Sequence, residues 1–180
     1  MAHVRNITAE DARRCAEHDI GIAENMIWHC LDIPEENYDA ALDQAGKDFP
    51  EGMFKSGYPM KSLMDSGITL SSSTDAPAAE LTKGNIQNII EVAVTGITPG
   101  KEYRAYNTGE LLTVREALKS LTIDGARQLG IGEKCGSVKE GKNADFVILD
   151  TDFLDFEGEA LRTIHRTKIK NVYFEGREVL

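Results

Sequence analysis

The stretch GSVKEGKNADFVILD, residues 136–150, marks a change in the character of the chain. Its second glycine, Gly141, allows a tight turn. The apolar run that follows, residues 145–149, predicts a short strand. Farther on, residues 168–174 alternate in a second strand, and a Glu-Gly turn leads back into residues 177–180 as a hairpin. The sequence therefore predicts an all-β tail.

Helix and strand signals alternate in the part of the chain that precedes this tail. Thr8 and Thr113 each open a helix as an N-cap with an acidic residue three positions later. Residues 85–94 have the apolar periodicity of an amphipathic helix. Short apolar runs at residues 22–30 and 68–72 predict strands. Such alternation is typical of a parallel α/β arrangement.

These patterns divide the chain into two expected parts. Residues 1–130 form a β/α segment, and residues 131–180 form the β tail. A chain of 180 residues is long enough to bury one sizeable core. The balance of 20 basic against 30 acidic residues disfavours nucleic acid as a partner, because neutralising phosphates requires clustered cations.

Cysteine usage and hydropathy predict the compartment. The three cysteines form no CxxC pair and cannot all be paired, which favours a reducing environment. No apolar run approaches the roughly 20 residues that span a bilayer, and the N-terminus has no apolar signal core. We therefore expect a cytoplasmic protein without a membrane partner.

Three polar side chains follow strand-like runs at their carboxyl ends. Asp75 lies in SSSTDAP, residues 71–77, a few residues past the start of the strand predicted at residues 68–72. His3 follows a short run that resembles the end of a strand, and His29 ends the strand predicted at residues 22–30. Active sites of parallel α/β folds gather at this edge of the sheet. A carboxylate and an imidazole there can bind a metal ion, and a carboxylate can accept a proton.

Each candidate also has a simpler interpretation. Asp75 caps a turn ahead of a proline. His3 is an exposed terminal side chain. His29 is a partly buried histidine that is satisfied by the backbone. The two remaining histidines, His18 and His165, lie in positions that suggest no role.

Several segments together resemble the C-terminal portion of metal-dependent amidohydrolases. They are LTVREAL (112–118), TIDGA (122–126), residues 136–150 and VYFEGREV (172–179). The segments YPMKSL (58–63) and TDAP (74–77) resemble the family-3 branch, which includes enzymes similar to N-substituted formamide deformylase. The likeness extends over nearly the whole chain.

The resemblance implies an α/β fold of a particular kind. The chain would be the last part of a (β/α)₈ barrel, with strands six to eight and their helices, followed by a small β-sandwich tail. The barrel would be incomplete, because a full one needs roughly 250 residues. Asp75 matches the acid that ends strand eight, with Thr74 in place of a serine, and is the implied catalytic residue and metal ligand. His3 matches the histidine that ends strand six and is the second implied metal ligand.

The remaining family features are absent or unassigned. His29 matches no metal ligand and stays a candidate for substrate binding. The H-x-H pair, from which the family builds most of its metal site, does not occur in this sequence. The chain therefore resembles a C-terminal fragment, and we expect it to hold a metal ion weakly or not at all when alone, because such sites use three protein ligands.

The implied activity is hydrolysis of a non-peptide C–N bond in a small amide, formamide or cyclic amide. A divalent cation, zinc by analogy, would activate water in the intact enzyme, and Asp75 would carry the proton to the leaving nitrogen. The alternative is a non-catalytic remnant or assembly module that dimerises through exposed barrel edges. We expect either a homo-oligomer or a missing N-terminal portion, and the His3 and Asp75 side chains should converge on a shared cavity.

Overall fold

The computed structural model describes residues 1–48, 57–78 and 86–180. The helices are α1 Ala9–Glu17, α2 Glu35–Asp48, α3 Met60–Asp65, α4 Ile86–Thr95, α5 Val114–Leu121 and α6 Ile123–Gln128. The strands are β1 Ile22–Glu24, β2 Leu70–Ser72, β3 Phe146–Leu149, β4 Ile169–Phe174 and β5 Arg177–Glu178. In the described residues, none of the helices combines the length and apolar composition that a bilayer-spanning segment needs.

The first half of the chain forms a small parallel sheet. β1 pairs with β2 in parallel, with Glu24 opposite Ser72, and Ala2 makes a parallel bridge to Ala23 on the other side of β1. Three chain segments therefore run side by side in the same direction, joined by helices, as in consecutive βαβ units. Their carboxyl ends meet at one edge of the sheet, which is where His3 and Asp75 lie.

The two predicted N-caps are confirmed. The Thr8 side chain accepts a hydrogen bond from the backbone N–H of Asp11 at the start of α1. Thr113 and Glu116 form a reciprocal capping box at the start of α5. In each case the side-chain oxygen satisfies a backbone donor that has no partner within the helix.

The strand predicted at residues 22–30 is wrong beyond its first three residues. β1 ends at Glu24, and Met26–Trp28 forms a 3₁₀ helix. The cause is Asn25, whose carboxamide oxygen accepts a hydrogen bond from the Ser73 hydroxyl. The backbone N–H of Met26 likewise donates to the Ser72 side chain, so the segment bends toward β2.

The helix predicted at residues 85–94 is confirmed as α4, but its burial is not confined to one face. The helix is buried on nearly all sides, and Ile86 at its start is 51% exposed. Residue 85, the predicted start, lies outside the described residues. Two 3₁₀ helices pack against α4. One is Met26–Trp28, and the other is Gly158–Arg166. A helix covered by two elements needs no polar face.

The tail contains the predicted hairpin. β3, β4 and β5 form an antiparallel sheet, with the Phe146 ring stacked on that of Tyr173 at 4.6 Å between centroids. Between β3 and β4 the chain returns to the first half, where Phe153 and Ile164 join the main hydrophobic core. The division of the chain at residue 130 stays a prediction, and these contacts show that the core extends across it.

Candidate functional site

The carboxyl ends of the parallel segments bring two predicted site residues together. His3 Nε2 lies 3.6 Å from Asp75 Oδ1. The His3 side chain is 56% exposed and that of Asp75 is 30% exposed, so solvent reaches both. The two residues are 72 positions apart in the sequence (75 − 3). Their approach results from the parallel pairing of the strands that precede them.

The segment after β1 holds both members of the His3–Asp75 pair. Asn25 Nδ2 lies 3.0 Å from His3 Nε2, and Trp28 Nε1 donates to Asp75 Oδ2 at 3.0 Å. Because a carboxamide nitrogen only donates, His3 Nε2 is the acceptor and the neutral ring carries its proton on Nδ1. The middle segment therefore orients the side chains that the two outer segments supply.

The backbone at this edge adopts an unusual conformation. His3 and Asp75 have positive φ angles of 54° and 55°, and Tyr58 has a φ of 58°. Residues other than glycine rarely occupy this left-handed region, and such residues cluster at functional sites. At His3 and Asp75 the conformation turns the chain out of the strand direction immediately at the site.

Glu24 is a buried acid beside the pair. It is fully buried, its Oε1 accepts from the backbone N–H of Asn25 at 3.2 Å, and its Oε2 is buried without a hydrogen-bond partner among the described residues. Burial raises the pKa of Glu24, while backbone hydrogen bonds and the nearby His3 act in the opposite direction. Burying a carboxyl oxygen without a hydrogen-bond partner costs free energy. This cost favours a functional role for Glu24 at the site.

The donor set at the pair fits a zinc ion. Histidine nitrogen and aspartate oxygen are both zinc ligands, and two ligands of one tetrahedral zinc stand about 3.4 Å apart, close to the observed separation. Among the described residues, no group of three or more His, Cys, Asp or Glu side chains could hold a metal ion. The described residues thus supply part of a ligand set.

His29 lies in the interior. Its side chain is fully buried, its Nε2–H donates to the backbone oxygen of Asn107 at 3.3 Å, and its ring meets Tyr106 edge-on with 5.8 Å between centroids. Burial lowers the pKa of His29. The substrate-binding role stays a prediction. The burial and the bond to Asn107 favour a histidine that is held by the backbone through one ring nitrogen.

An open groove of about 1370 Å³ lies beside the N-terminal segment. It is lined by residues of α1 and α3 and by Asn107 and Glu110, but not by His3, Asp75 or His29. The groove therefore does not contain the predicted site residues. The close approach of His3 to Asp75 matches the expectation, whereas the shared cavity stays a prediction.

The sequence analysis did not identify Glu24, Asn25 and Trp28 as residues that lie with His3 and Asp75 at the carboxyl edge of the parallel sheet. The available signal was a pair of polar residues, Glu24 and Asn25, that interrupts the apolar run between the other two strand ends. The interpretation of residues 22–30 as one strand hid this signal, because it placed the strand's end at His29.

Comparisons with known proteins agree on one family. The sequence pattern of the amidohydrolase family matches residues 1–180. The chain is 30% identical over 128 residues to a 5-methylthioadenosine/S-adenosylhomocysteine deaminase from Desulforamulus reducens, covering 68% of this chain and 28% of the deaminase. It is 28% identical over 119 residues to an N-substituted formamide deformylase from Arthrobacter pascens, covering 66% of this chain and 20% of that enzyme. The chain thus spans less than a third of either relative.

Solved structures share the fold. An atrazine chlorohydrolase from Arthrobacter aurescens TC1, complexed with zinc, superimposes with a TM-score of 0.61 and 17% sequence identity. The match covers 99% of this chain and 35% of that protein. Nearly every residue of the chain therefore has a counterpart in a piece of a much larger α/β protein.

Proposed function

Since the chain belongs to the amidohydrolase family, we propose that it contributes the His3–Asp75 pair to a metal-dependent hydrolase that cleaves a non-peptide C–N bond. The single observation that carries this proposal is the 3.6 Å separation of His3 Nε2 and Asp75 Oδ1 at the carboxyl ends of parallel strands. The proposed substrate is a small amide, formamide or cyclic amide. The relatives named as a deaminase and a formamide deformylase support this bond class.

The two side chains have distinct proposed roles. Asp75 accepts a proton from the attacking water and passes it to the leaving nitrogen. His3 would hold the cation through Nε2, in place of the hydrogen bond from Asn25, or would polarise the substrate carbonyl through Nδ1–H. When bound, a zinc ion would lower the pKa of water and polarise the scissile carbonyl. Further ligands must come from polypeptide beyond the described residues, so we expect the 180-residue chain alone to bind metal weakly and to be inactive.

The test combines metal analysis with a substrate panel. The chain is assayed alone and together with a polypeptide that supplies the preceding barrel strands, against N-substituted formamides, simple amides, cyclic amides and 5-methylthioadenosine. We expect hydrolysis only in the completed protein. D75N should lower its rate by about 10²–10⁴-fold, the usual contribution of a general acid–base. H18Q, at an exposed histidine outside the site, is the matched control.

Two results would count against the proposal. A completed protein that retains zinc but hydrolyses none of these compounds would remove the proposed activity. D75N and H18Q variants with equal rates would remove Asp75 from the mechanism.

A second candidate function is assembly without catalysis. Two observations favour it: among the described residues β2 is paired on one side only, and apolar side chains of the tail sheet are exposed, including Val147, Phe174 and Val179. Unpaired strand edges and exposed apolar surface promote association. A dimer in light scattering, without metal or activity in any combination, would favour this candidate, and a monomer would contradict it.

A further inference from the structure

We propose that Trp28 is a positioning residue for Asp75, acting toward a metal ion bound at the His3–Asp75 pair. Its indole N–H holds Oδ2 and thereby keeps Oδ1 directed toward His3. The inference rests on the proposed function, because it assigns Trp28 a role at the same site.

The two oxygens of the Asp75 carboxylate have different surroundings. Oδ2 accepts from Trp28 Nε1 at 3.0 Å, whereas Oδ1 faces His3 Nε2 at 3.6 Å. An aspartate that is partly exposed can turn about its last torsion toward water. A fixed N–H on one oxygen opposes this rotation, since hydrogen bonds to a carboxylate are among the stronger ones in proteins. The other oxygen then stays available to a ligand.

Trp28 is itself held firmly enough to act as a fixed donor. The other two residues of its 3₁₀ helix, Met26 and Ile27, are fully or almost fully buried. The backbone N–H of Met26 donates to the Ser72 hydroxyl, which ties the helix to the strand that leads to Asp75. The indole therefore moves together with the backbone that carries the carboxylate. An indole N–H is a donor only, so it cannot exchange roles with its acceptor.

The hydrogen bond can be observed directly, because Trp28 is the only tryptophan in the chain. The ¹H–¹⁵N NMR spectrum of the 180-residue chain contains one indole cross-peak. We expect D75A to move this peak and to accelerate exchange of the indole proton with solvent. The H18Q variant should leave both unchanged. An indole peak that D75A does not move would overturn the proposal.

The positioning role is tested on the completed protein, with Zn²⁺ as the only ligand, by competition with a chromogenic chelator. We expect W28F, which has no N–H, to bind Zn²⁺ about 10–100-fold more weakly, as is typical when a partner of a metal ligand is removed. W28Q supplies a carboxamide N–H, which can donate to Asp75, and should recover part of the affinity. Thermal unfolding of W28F and W28Q, compared with the wild type, separates lost positioning from lost folding.

The outcomes distinguish this inference from the proposed function. Equal Zn²⁺ affinity of W28F and the wild type, or a wild type without measurable affinity, overturns the positioning role. A weakened W28F in a protein that hydrolyses nothing supports the positioning role and removes the proposed activity. Hydrolysis that D75N abolishes and W28F leaves intact, with unchanged affinity, supports the activity and removes the role of Trp28.

Discussion

Mild acidification should destabilise this protein through His29. The ring is fully buried, and its Nε2–H donates to the backbone oxygen of Asn107. Its Nδ1 is buried without a hydrogen-bond partner among the described residues. Protonation would place a charge in the interior. Burial therefore lowers the pKa of His29 below its ordinary value of 6.5, although nearby backbone groups of Asn107, Tyr106 and Tyr58 act in the opposite direction.

The sign and the magnitude follow from proton linkage. The unfolded chain takes up the proton near pH 6.5, whereas the folded chain takes it up only at lower pH. Between these values the unfolded state binds more protons, so stability is fully present above this window and is lost as the pH falls through it. The expected loss is about 1.4 kcal/mol in the free energy of unfolding per pH unit.

Urea unfolding at a series of pH values measures this loss. We expect H29Q, whose side chain does not titrate, to lack the His29 portion of the slope. H18Q, at an exposed histidine, should keep the slope of the wild type. Carboxylates titrate equally in all three proteins, so their contribution cancels in the comparison. Parallel curves for the wild type and H29Q would refute the reasoning.

Two further predictions concern the backbone and the thiols. G96A should lower the free energy of unfolding by about 1–3 kcal/mol. Gly96 has a φ of +67°, and a Cβ there would lie 2.6 Å from the backbone carbonyl oxygen of Tyr106. G46A, in the last turn of α2 where a Cβ would meet nothing within 4 Å, should raise the free energy of unfolding by about 0.5–1 kcal/mol. Equal shifts of G96A and G46A in chemical denaturation would contradict this prediction. Burial raises the pKa of Cys30 to about 11, so a thiol reagent at neutral pH should label the partly exposed Cys135 first. Mass spectrometry that finds Cys30 labelled equally fast would show that the thiol is accessible.

The sequence alone predicts those features of the structure that depend on residues close together in the chain. The capping box of Thr113 and Glu116 involves residues three positions apart, and it forms as predicted. The meeting of His3 and Asp75 was also predictable, because it requires only that strands of parallel direction end at one edge. The family resemblance independently selected the same two residues.

The wrong predictions result from contacts between residues that are far apart in the sequence. β1 stops after Glu24 because Asn25 bonds to Ser73, 48 residues away, and no local pattern in an apolar run reveals that contact. The burial of α4 on nearly all sides depends on Gly158–Arg166, which packs on it from the tail. The hydrogen bond between Trp28 and Asp75 could not be predicted for the same reason, since the two residues lie 47 positions apart in the sequence.

The contact between the segment Gly158–Arg166 of the tail and α4 determines where this polypeptide can be truncated. The Glu91 carboxylate on α4 is almost fully buried and accepts from both the backbone N–H and the ring Nδ1 of His165, each at 2.7 Å. A shortened gene product that stops at Gly130 would lose Phe153, Ile164 and both of these donors at once. Such a product should aggregate or be degraded, whereas a tail deletion that begins after Lys168 would keep the α4 contacts and is the sounder choice for engineering.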